Sequence, residues 1–394
     1  MKYTGLFLFA VVALFSTSEA APLIRSNAGK PIPGSYIVVL KDGKTLNDFV
    51  PKFNAMARRQ NARSRGRKST LNREFKNLHA FSATVGSAAL KELLASDEVE
   101  YVEEDQIVTL NAVQQRPPNW GLTRISQRRR NLNAPYTFQN AAGQGVTAYV
   151  IDTGINTSHR DFNGRAIMGA NFIQGSPNTD QNGHGSHVAG TIGGNMYGVA
   201  KKVRLVGVKV LDARGSGAFS GIIAGMDWVA RDARGKRAVV NMSLGGGRSQ
   251  AVDAAAARLY NAGISVMVAA GNDRNADACN GSPSGARGVL TVGASDAYDR
   301  IATFSSWGRC VDIFGPGVDI ASAWIGSTTA VNTISGTSMA TPHVAGVAAL
   351  LMSAESSLNN PDAVYNRLVQ LSTPNVISGA LRGSANRLLF NNAV

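Results

Sequence analysis

Gly145-Val146-Thr147-Ala148-Tyr149-Val150-Ile151-Asp152-Thr153-Gly154 is a run of apolar, β-branched and aromatic residues that ends on a carboxylate and a glycine. A run that is apolar without alternation reads as a strand buried on both faces, the condition of parallel strands covered by helices, and Asp-Thr-Gly marks its turn. Open α/β sheets gather ligands and catalysis at the carboxyl ends of their strands. Asp152 is therefore presented where chemistry is done, although a lone aspartate ending a strand is more often a turn former. The competing carboxylates are Asp161, in a polar loop, and Asp180, in a Gly/Asn-rich one; neither ends a strand.

Working outward, strand-like runs at 205–210, 238–243, 264–269 and 289–293 alternate with helix-like segments at 184–194, 219–233, 250–262 and 338–354. That alternation predicts an α/β fold, a mainly parallel sheet with helices on both faces. No internal repeat and no long low-complexity tract interrupts it.

Three other segments place reactive side chains at the starts of helices or the ends of strands. Asn182-Gly183-His184-Gly185-Ser186-His187 sets an imidazole between two glycines, where backbone can pass close to a substrate. Imidazole suits a general base, because its ordinary pKa of about 6.5 lets it take and return a proton near neutral pH. His79, His159, His187 and His343 lack the flanking glycines and read as satisfied structural groups. The His184/His187 pair lacks the four-residue spacing and intervening glutamate of helical zinc hydrolases. Gly336-Thr337-Ser338-Met339-Ala340-Thr341-Pro342-His343 places a serine at the start of a small, apolar helix. A hydroxyl is a weak nucleophile at its free pKa and needs a base, an orienter for that base and donors for an oxyanion. Val266-Met267-Val268-Ala269-Ala270-Gly271-Asn272 supplies an amide at the end of a further strand. Alone, Asn272 fits an Asx turn as well as a donor role. Beside three other strand-end and helix-start groups, the donor reading gains.

The order Asp152, His184, Asn272, Ser338 and the wording around each resemble the subtilisin-like serine endopeptidases, most closely their proteinase K branch. The likeness spans residues 112 to 394 and includes Asn119-Trp120-Gly121-Leu122, Val208-Lys209-Val210-Leu211-Asp212, Asn241-Met242-Ser243-Leu244-Gly245-Gly246-Gly247 and Asp312-Ile313-Phe314-Gly315-Pro316-Gly317. It implies a triad of Ser338, His184 and Asp152, with Asn272 and the Ser338 backbone N–H facing the oxyanion and no catalytic cofactor. It also implies that a protein or peptide substrate lies as an extended strand between Ser243-Leu244-Gly245-Gly246 and Gly215-Ser216-Gly217, a pairing that holds any sequence by its main chain. Ala269, Ala270 and Gly271 would line the primary pocket, whose small uncharged walls favour apolar or aromatic groups and offer nothing to a lysine or arginine. Phe219 borders a further apolar pocket or serves as a core aromatic, the two readings being equal. One structural Ca2+ is implied at the carbonyls of Arg287 and Val289 with Asp312, oxygen ligands that suit a hard cation, although an aspartate there can equally satisfy backbone donors. The branch's second calcium site loses its aspartate to Val376, and its free thiol beside the base is Val188 here.

The amino-terminal part differs in kind. Met1 to Ala20 has the three-part pattern of an export signal with a small-residue cleavage site, so a secreted, extracellular protein is expected. No other apolar run approaches the roughly 20 residues that cross a bilayer, and no membrane anchor is expected. Residues 21–111 resemble the inhibitory propeptide of the same family, with a folded core at about 35–110: strands at Ser35–Leu40, Phe81–Val85 and Ile107–Leu110, and a helix at Ala88–Ala95. The resemblance implies that this unit assists folding, places Val108-Thr109-Leu110-Asn111 in the cleft as a transient inhibitor, and is cut away near Ala112. The basic run Arg58 to Lys68 contains no aromatic residue to stack on a base and reads as a solvated loop, not a nucleic-acid site.

The net charge is +14, and residues 112–394 keep 25 basic against 15 acidic residues, an excess of +10. Only four of those 25 are lysines, and they are scattered, so the charge reads as solubility and attraction to anionic surfaces. Nothing suggests an oligomer, and a monomer is expected. Cys279 and Cys310, the only cysteines, are an even count in an exported chain and are expected to pair, as at one bridge position in members of the branch. Sequons fall at Asn156, Asn241 and Asn280; the first abuts the site and the second a buried strand, leaving Asn280 available. An α/β-hydrolase is excluded by chain order and the missing G-x-S-x-G. A non-cutting relative that only binds peptides is opposed by the intact quartet, and an amino-terminal unit acting solely as an inhibitor by its attachment to a complete catalytic domain.

Overall fold

The computed structural model describes residues 20–25, 30–63, 66–75, 79–107, 112–115 and 118–392. The expected export signal lies outside them except for Ala20, and so does the expected tail Val108–Asn111. The chain divides into two compact units, Met1–Thr109 and Leu110–Val394.

In the first unit β1 (Leu23–Ile24), β2 (Lys30–Leu40), α1 (Leu46–Arg63), β3 (Thr70–Phe75), β4 (Ala80–Thr84), α2 (Ser87–Leu94) and β5 (Val99–Ile107) form a sheet in the order β1-β5-β2-β4-β3 with two helices. All pairings are antiparallel except β1 with β5. Phe49 and Phe53 of α1 meet Phe81 of β4 with ring centroids 6.0 and 5.1 Å apart, closing a core with Val38, Leu93 and Val102. The basic run expected as a loop is corrected here: Arg58 to Arg63 is the last part of α1. Leu46, Phe49, Val50, Phe53, Met56 and Ala57 recur at helical spacing and are buried, and the Asp48 N–H bonds Thr45 Oγ1 at 3.2 Å as a cap. The arginines decorate its outer face, Arg59 pairing with Glu92.

The second unit contains, in chain order, β6 (Ala112–Gln115), α3 (Trp120–Ile125), β7 (Tyr136–Gln139), β8 (Val146–Asp152), β9 (Ala166–Asn171), α4 (His184–Gly193), β10 (Arg204–Lys209), α5 (Phe219–Asp232), β11 (Arg237–Met242), β12 (Gly246–Gly247), α6 (Gln250–Asn261) and β13 (Ser265–Ala269). It continues with β14 (Gly281–Ser282), β15 (Leu290–Ser295), β16 (Ile313–Pro316), β17 (Ile320–Ala323), β18 (Val331–Ile334), α7 (Thr337–Ala354), α8 (Pro361–Leu371), β19 (Thr373–Pro374) and β20 (Arg387–Leu388). Nine strands form one sheet in the order β19-β20-β16-β15-β13-β11-β8-β10-β9, parallel except for β19 against β20.

Side chains alternate across β8. Val146, Ala148 and Val150 join the core under α4 and α7, whereas Tyr149 and Ile151 join the one under α5 and α6, so the strand is apolar on both faces and all seven of its residues are buried. From β8 the chain builds β9 and β10 to one side and β11 to the other. The order reverses at β8, and the crevice at its carboxyl end is where such a sheet receives ligands.

Candidate active site

Asp152 closes β8, fully buried, and both of its oxygens lie near His184 Nδ1, at 2.8 and 3.0 Å. His184 is the first residue of α4. The approach of this helix end to the β8 turn depends on missing side chains: a Cβ on Gly185 would stand 2.1 Å from the Gly154 carbonyl oxygen and 3.2 Å from Asp152 Oδ1. Burial disfavours the imidazolium of His184, but the charge of Asp152, its hydrogen bond and a contribution from Asp180 outweigh it and raise the pKa above 6.5.

Ser338 is the second residue of α7, a helix buried along almost its whole length. Pro342, four residues on, has no N–H to give the Ser338 carbonyl. The Ser243 hydroxyl donates to that carbonyl instead at 2.8 Å, while the Ser338 hydroxyl donates to the Ser243 carbonyl at 3.1 Å. Asn241, buried at the end of β11, donates from Nδ2 to Ser243 Oγ at 2.9 Å. Asn272 follows Gly271, whose φ of +107° is a glycine conformation. Its Oδ1 accepts from the Thr337 N–H and hydroxyl, both at 2.8 Å, which leaves Nδ2 to point elsewhere. A Cβ on Gly336 would lie 3.3 Å from Asn272 Nδ2 and 3.6 Å from the Ser338 backbone nitrogen, so the two donors flank one small space.

Two adjoining cavities flank these groups and share Leu244 and Gly245. One, of about 500 Å³, is lined by His184, Gly215, Ser216, Gly217, Phe219 and Ser243. The other, of about 520 Å³, is lined by Gly246, Ala269, Ala270, Gly271, Asn272 and Ser338. Phe219 is partly exposed on the first cavity rather than enclosed in the core. Gly246 already pairs with Ser282 in the β12–β14 ladder. The second cavity corrects the expectation of uncharged walls: Asp273 and Asp277 also line it, and neither has a Lys or Arg ion-pair partner among the described residues. Both lie in the segment after Asn272, which a reading confined to the strand end leaves out.

Asp180 lies in the loop ahead of α4, as its Gly/Asn-rich surroundings suggest. It is buried and accepts hydrogen bonds from Thr153, Asn182, Gly183 and Ser186. The other buried histidines each bond a backbone carbonyl through one ring nitrogen: His159 Nε2 that of Ala330 at 2.9 Å, His187 Nε2 that of Ile320 at 2.8 Å, and His343 Nδ1 that of Met339 at 2.8 Å.

Cys279 and Cys310 form a disulfide with Cα atoms 5.3 Å apart. Asp312, just ahead of β16, accepts the Thr291 N–H at 2.8 Å through Oδ2, which sets its carboxylate beside the first residues of β15. Arg287 and Val289 precede that strand, with the chain turned between them by Gly288 at φ +79°. Burial raises the Asp312 pKa to about 6. The expected ligands, two carbonyls and one carboxylate, are oxygens, the ligand type that suits Ca2+; no cluster of three or more His, Cys, Asp or Glu suited to a metal occurs among the described residues. Asn280 is exposed and Asn241 buried.

A parallel sheet with a buried Asp152 bonded to a partly exposed His184 at its switch point, and a helix-start serine bonded to Ser243 on the His184 cavity, defines a class, and comparison with known proteins makes the assignment. Residues 143–391 match the subtilase family, peptidase S8, and residues 35–111 match the peptidase inhibitor I9 domain. The chain belongs to the subtilase family and is a serine protease carrying a propeptide inhibitor domain. Among its relatives, an alkaline serine protease of Corniculantispora psalliotae is 47% identical over 98% of this chain and 97% of its own. An extracellular serine proteinase of Thermus sp. is 44% identical over 99% of both chains, and proteinase R of Parengyodontium album 44% over 97% and 95%. The crystal structure of a cold-adapted subtilisin-like serine proteinase aligns with a TM-score of 0.65 at 49% identity, covering 70% of this chain and 99% of that one.

Proposed function

We propose that the protein is a secreted serine endopeptidase of broad specificity, made as a self-processing zymogen, that cleaves through an acyl-enzyme and prefers apolar or aromatic residues before the scissile bond. The observation that carries this reading is the bond from a buried Asp152 to His184, which lines a cavity adjoining the one lined by Ser338 and Asn272. In the proposed reaction the Ser338 hydroxyl leaves the Ser243 carbonyl by rotation about χ1 and gives its proton to His184 Nε2 as it attacks the peptide carbonyl. Asp152 holds Nδ1 and stabilises the imidazolium. The oxyanion forms beside Gly336, where Asn272 Nδ2 and the Ser338 N–H donate, and His184 returns the proton to the leaving amine.

The small walls of Ala269, Ala270 and Gly271 support the apolar preference, and the glycine-rich edges at 215–217 and 245–246 support main-chain recognition. The I9 domain at residues 35–111 supports release of residues 21–111 near Ala112, and relatives named as extracellular support export. Arg287, Val289 and Asp312 would hold one Ca2+, which supplies structural restraint and takes no part in the reaction. The protein works as a monomer, without nucleic acid, membrane or catalytic cofactor. A serine-directed covalent inhibitor should modify Ser338, located by mass spectrometry, with loss of casein digestion. Continued digestion with Ser338 unmodified overturns the assignment of the nucleophile.

A further inference from the structure

We infer that Asp180 is a positioning residue that locks the His184 helix end onto the Asp152 turn; this rests on the triad reading above. Its two oxygens divide the work. Oδ1 accepts from the Thr153 hydroxyl and the N–H groups of Asn182 and Gly183, each at 2.9 Å. Oδ2 accepts from the Ser186 N–H at 2.9 Å and its hydroxyl at 2.7 Å. Thr153, which follows Asp152, in turn accepts the Gly185 N–H through Oγ1 at 2.9 Å. The residues on either side of His184 and the residue after Asp152 thus converge on one buried carboxylate.

The arrangement is chemically economical. A helix N-terminus has unpaired N–H groups and a positive dipole end; here an anion satisfies them from a loop that neither element contains. The bond between Asp152 and His184 alone fixes a distance. It leaves the tilt of the imidazole to the backbone on both sides, and Asp180 fixes that backbone at residues 182, 183 and 186. The packing tolerates little slack, since a Cβ on Gly154 would stand 3.0 Å from the Asp180 nitrogen and one on Gly183 2.4 Å from the Trp324 ring. Displacements of about 1 Å at a catalytic group cost about 100-fold in rate.

The charged and titratable groups acting on His184 are Asp152 from β8, Asp180 from the loop and His187 on its own helix. Lys209 of β10 donates to the Thr153 carbonyl at 2.7 Å behind the turn and interacts with both aspartates. Neutralising Asp180 removes one of the two negative groups that favour the imidazolium, so the acid limb of kcat/KM should move to lower pH. A merely structural defect leaves that limb in place.

The test is Asp180→Asn in the full exported chain, with a chromogenic peptide substrate and with Ser338 titrated by a covalent inhibitor to count competent sites. Per competent site, kcat should fall about 10- to 100-fold with KM changed less than about twofold, and the acid limb should shift downward. Thr153→Val should lower kcat in the same sense, and Thr153→Ser, which keeps the hydroxyl, should restore it. Unchanged kcat in D180N, or a fall with the acid limb unmoved, overturns the inference. If D180N does not accumulate as folded protein, T153V and T153S decide, equal kcat in the two overturning it. Full activity in Ser338→Ala would instead overturn the triad reading itself.

Discussion

Acid should loosen the catalytic unit through two histidines that take no part in the proposed chemistry. His187 and His343 are fully buried, and His187 Nδ1 and His343 Nε2 have no hydrogen-bond partner among the described residues. Burial lowers both pKa values from 6.5 to about 4. In the unfolded chain these groups titrate near 6.5, so as pH falls from 6.5 to 4 the unfolded state takes up protons that the native state refuses. Stability contributed by the neutral native rings is full above 6.5 and is lost as pH drops toward 4. At 1.36 kcal/mol per pKa unit each histidine costs about 3 kcal/mol over the interval. With an unfolding entropy of about 2 cal/mol/K per residue, the pair lowers Tm by on the order of 10 °C in a unit of this size. Calorimetry at fixed scan rate on Ser338→Ala protein, which cannot digest itself under the proposed mechanism, measures this between pH 7.5 and 4.5. His343→Gln in that background removes one proton-binding group. Whatever its offset at pH 7.5, the gap to its parent should shift in the variant's favour by about 3 kcal/mol toward pH 4.5. A gap that stays constant with pH refutes the reasoning, because it would mean that the native ring accepts its proton as readily as the unfolded one.

Because the His184 pKa is raised and a base must be neutral to act, the acid limb of kcat/KM should lie above pH 6.5; Asp152→Asn should move it down and cut kcat, and a limb unmoved in that variant counts against Asp152 as the partner. Chelation of Ca2+ should lower Tm in the parent and leave Asp312→Ala unaffected, equal responses by calorimetry arguing against the proposed site. The Cys279–Cys310 bridge, closing a separation of 31 residues, should contribute about 4 kcal/mol by the chain-entropy relation, so replacing both cysteines by serine should lower Tm by about 6 °C; no change would show that the unfolded loop is already constrained. Asp273 on the cavity wall should help to admit a lysine before the scissile bond. Asp273→Asn should reduce kcat/KM for a lysine substrate relative to a phenylalanine one by up to about fivefold, the worth of an exposed ion pair, and an unaltered ratio would place the carboxylate out of reach.

The residues legible in the sequence are those whose role is set by local position. Asp152 ends an unbroken apolar strand, His184 and Ser338 open apolar helices, and Asn272 follows a strand and a glycine, so each announces itself within ten residues. The sheet is legible for the same reason, since a parallel strand covered on both faces shows no alternation and stands out as a block. The role of Asp180 is not legible because its five hydrogen bonds come from four residues in two separate segments, and at four residues before α4 it lies outside the N-cap position, which Gly183 holds. The Asn241–Ser243–Ser338 chain was hidden because it depends on a hydrogen bond that Pro342 fails to make, which appears only once the helix exists. In α1 the arginines and asparagines masked a helical apolar stripe. Asp273 and Asp277 were missed because a cavity wall is a property of folded space and not of any one segment.

The proline in α7 has a mechanical consequence. Since the Ser338 carbonyl is anchored on Ser243 and not on its own helix, the first turn of α7 is fastened to the segment proposed to receive the substrate backbone. Any shift of Ser243 is thereby passed to the Ser338 carbonyl and, through it, to the opening turn of the helix.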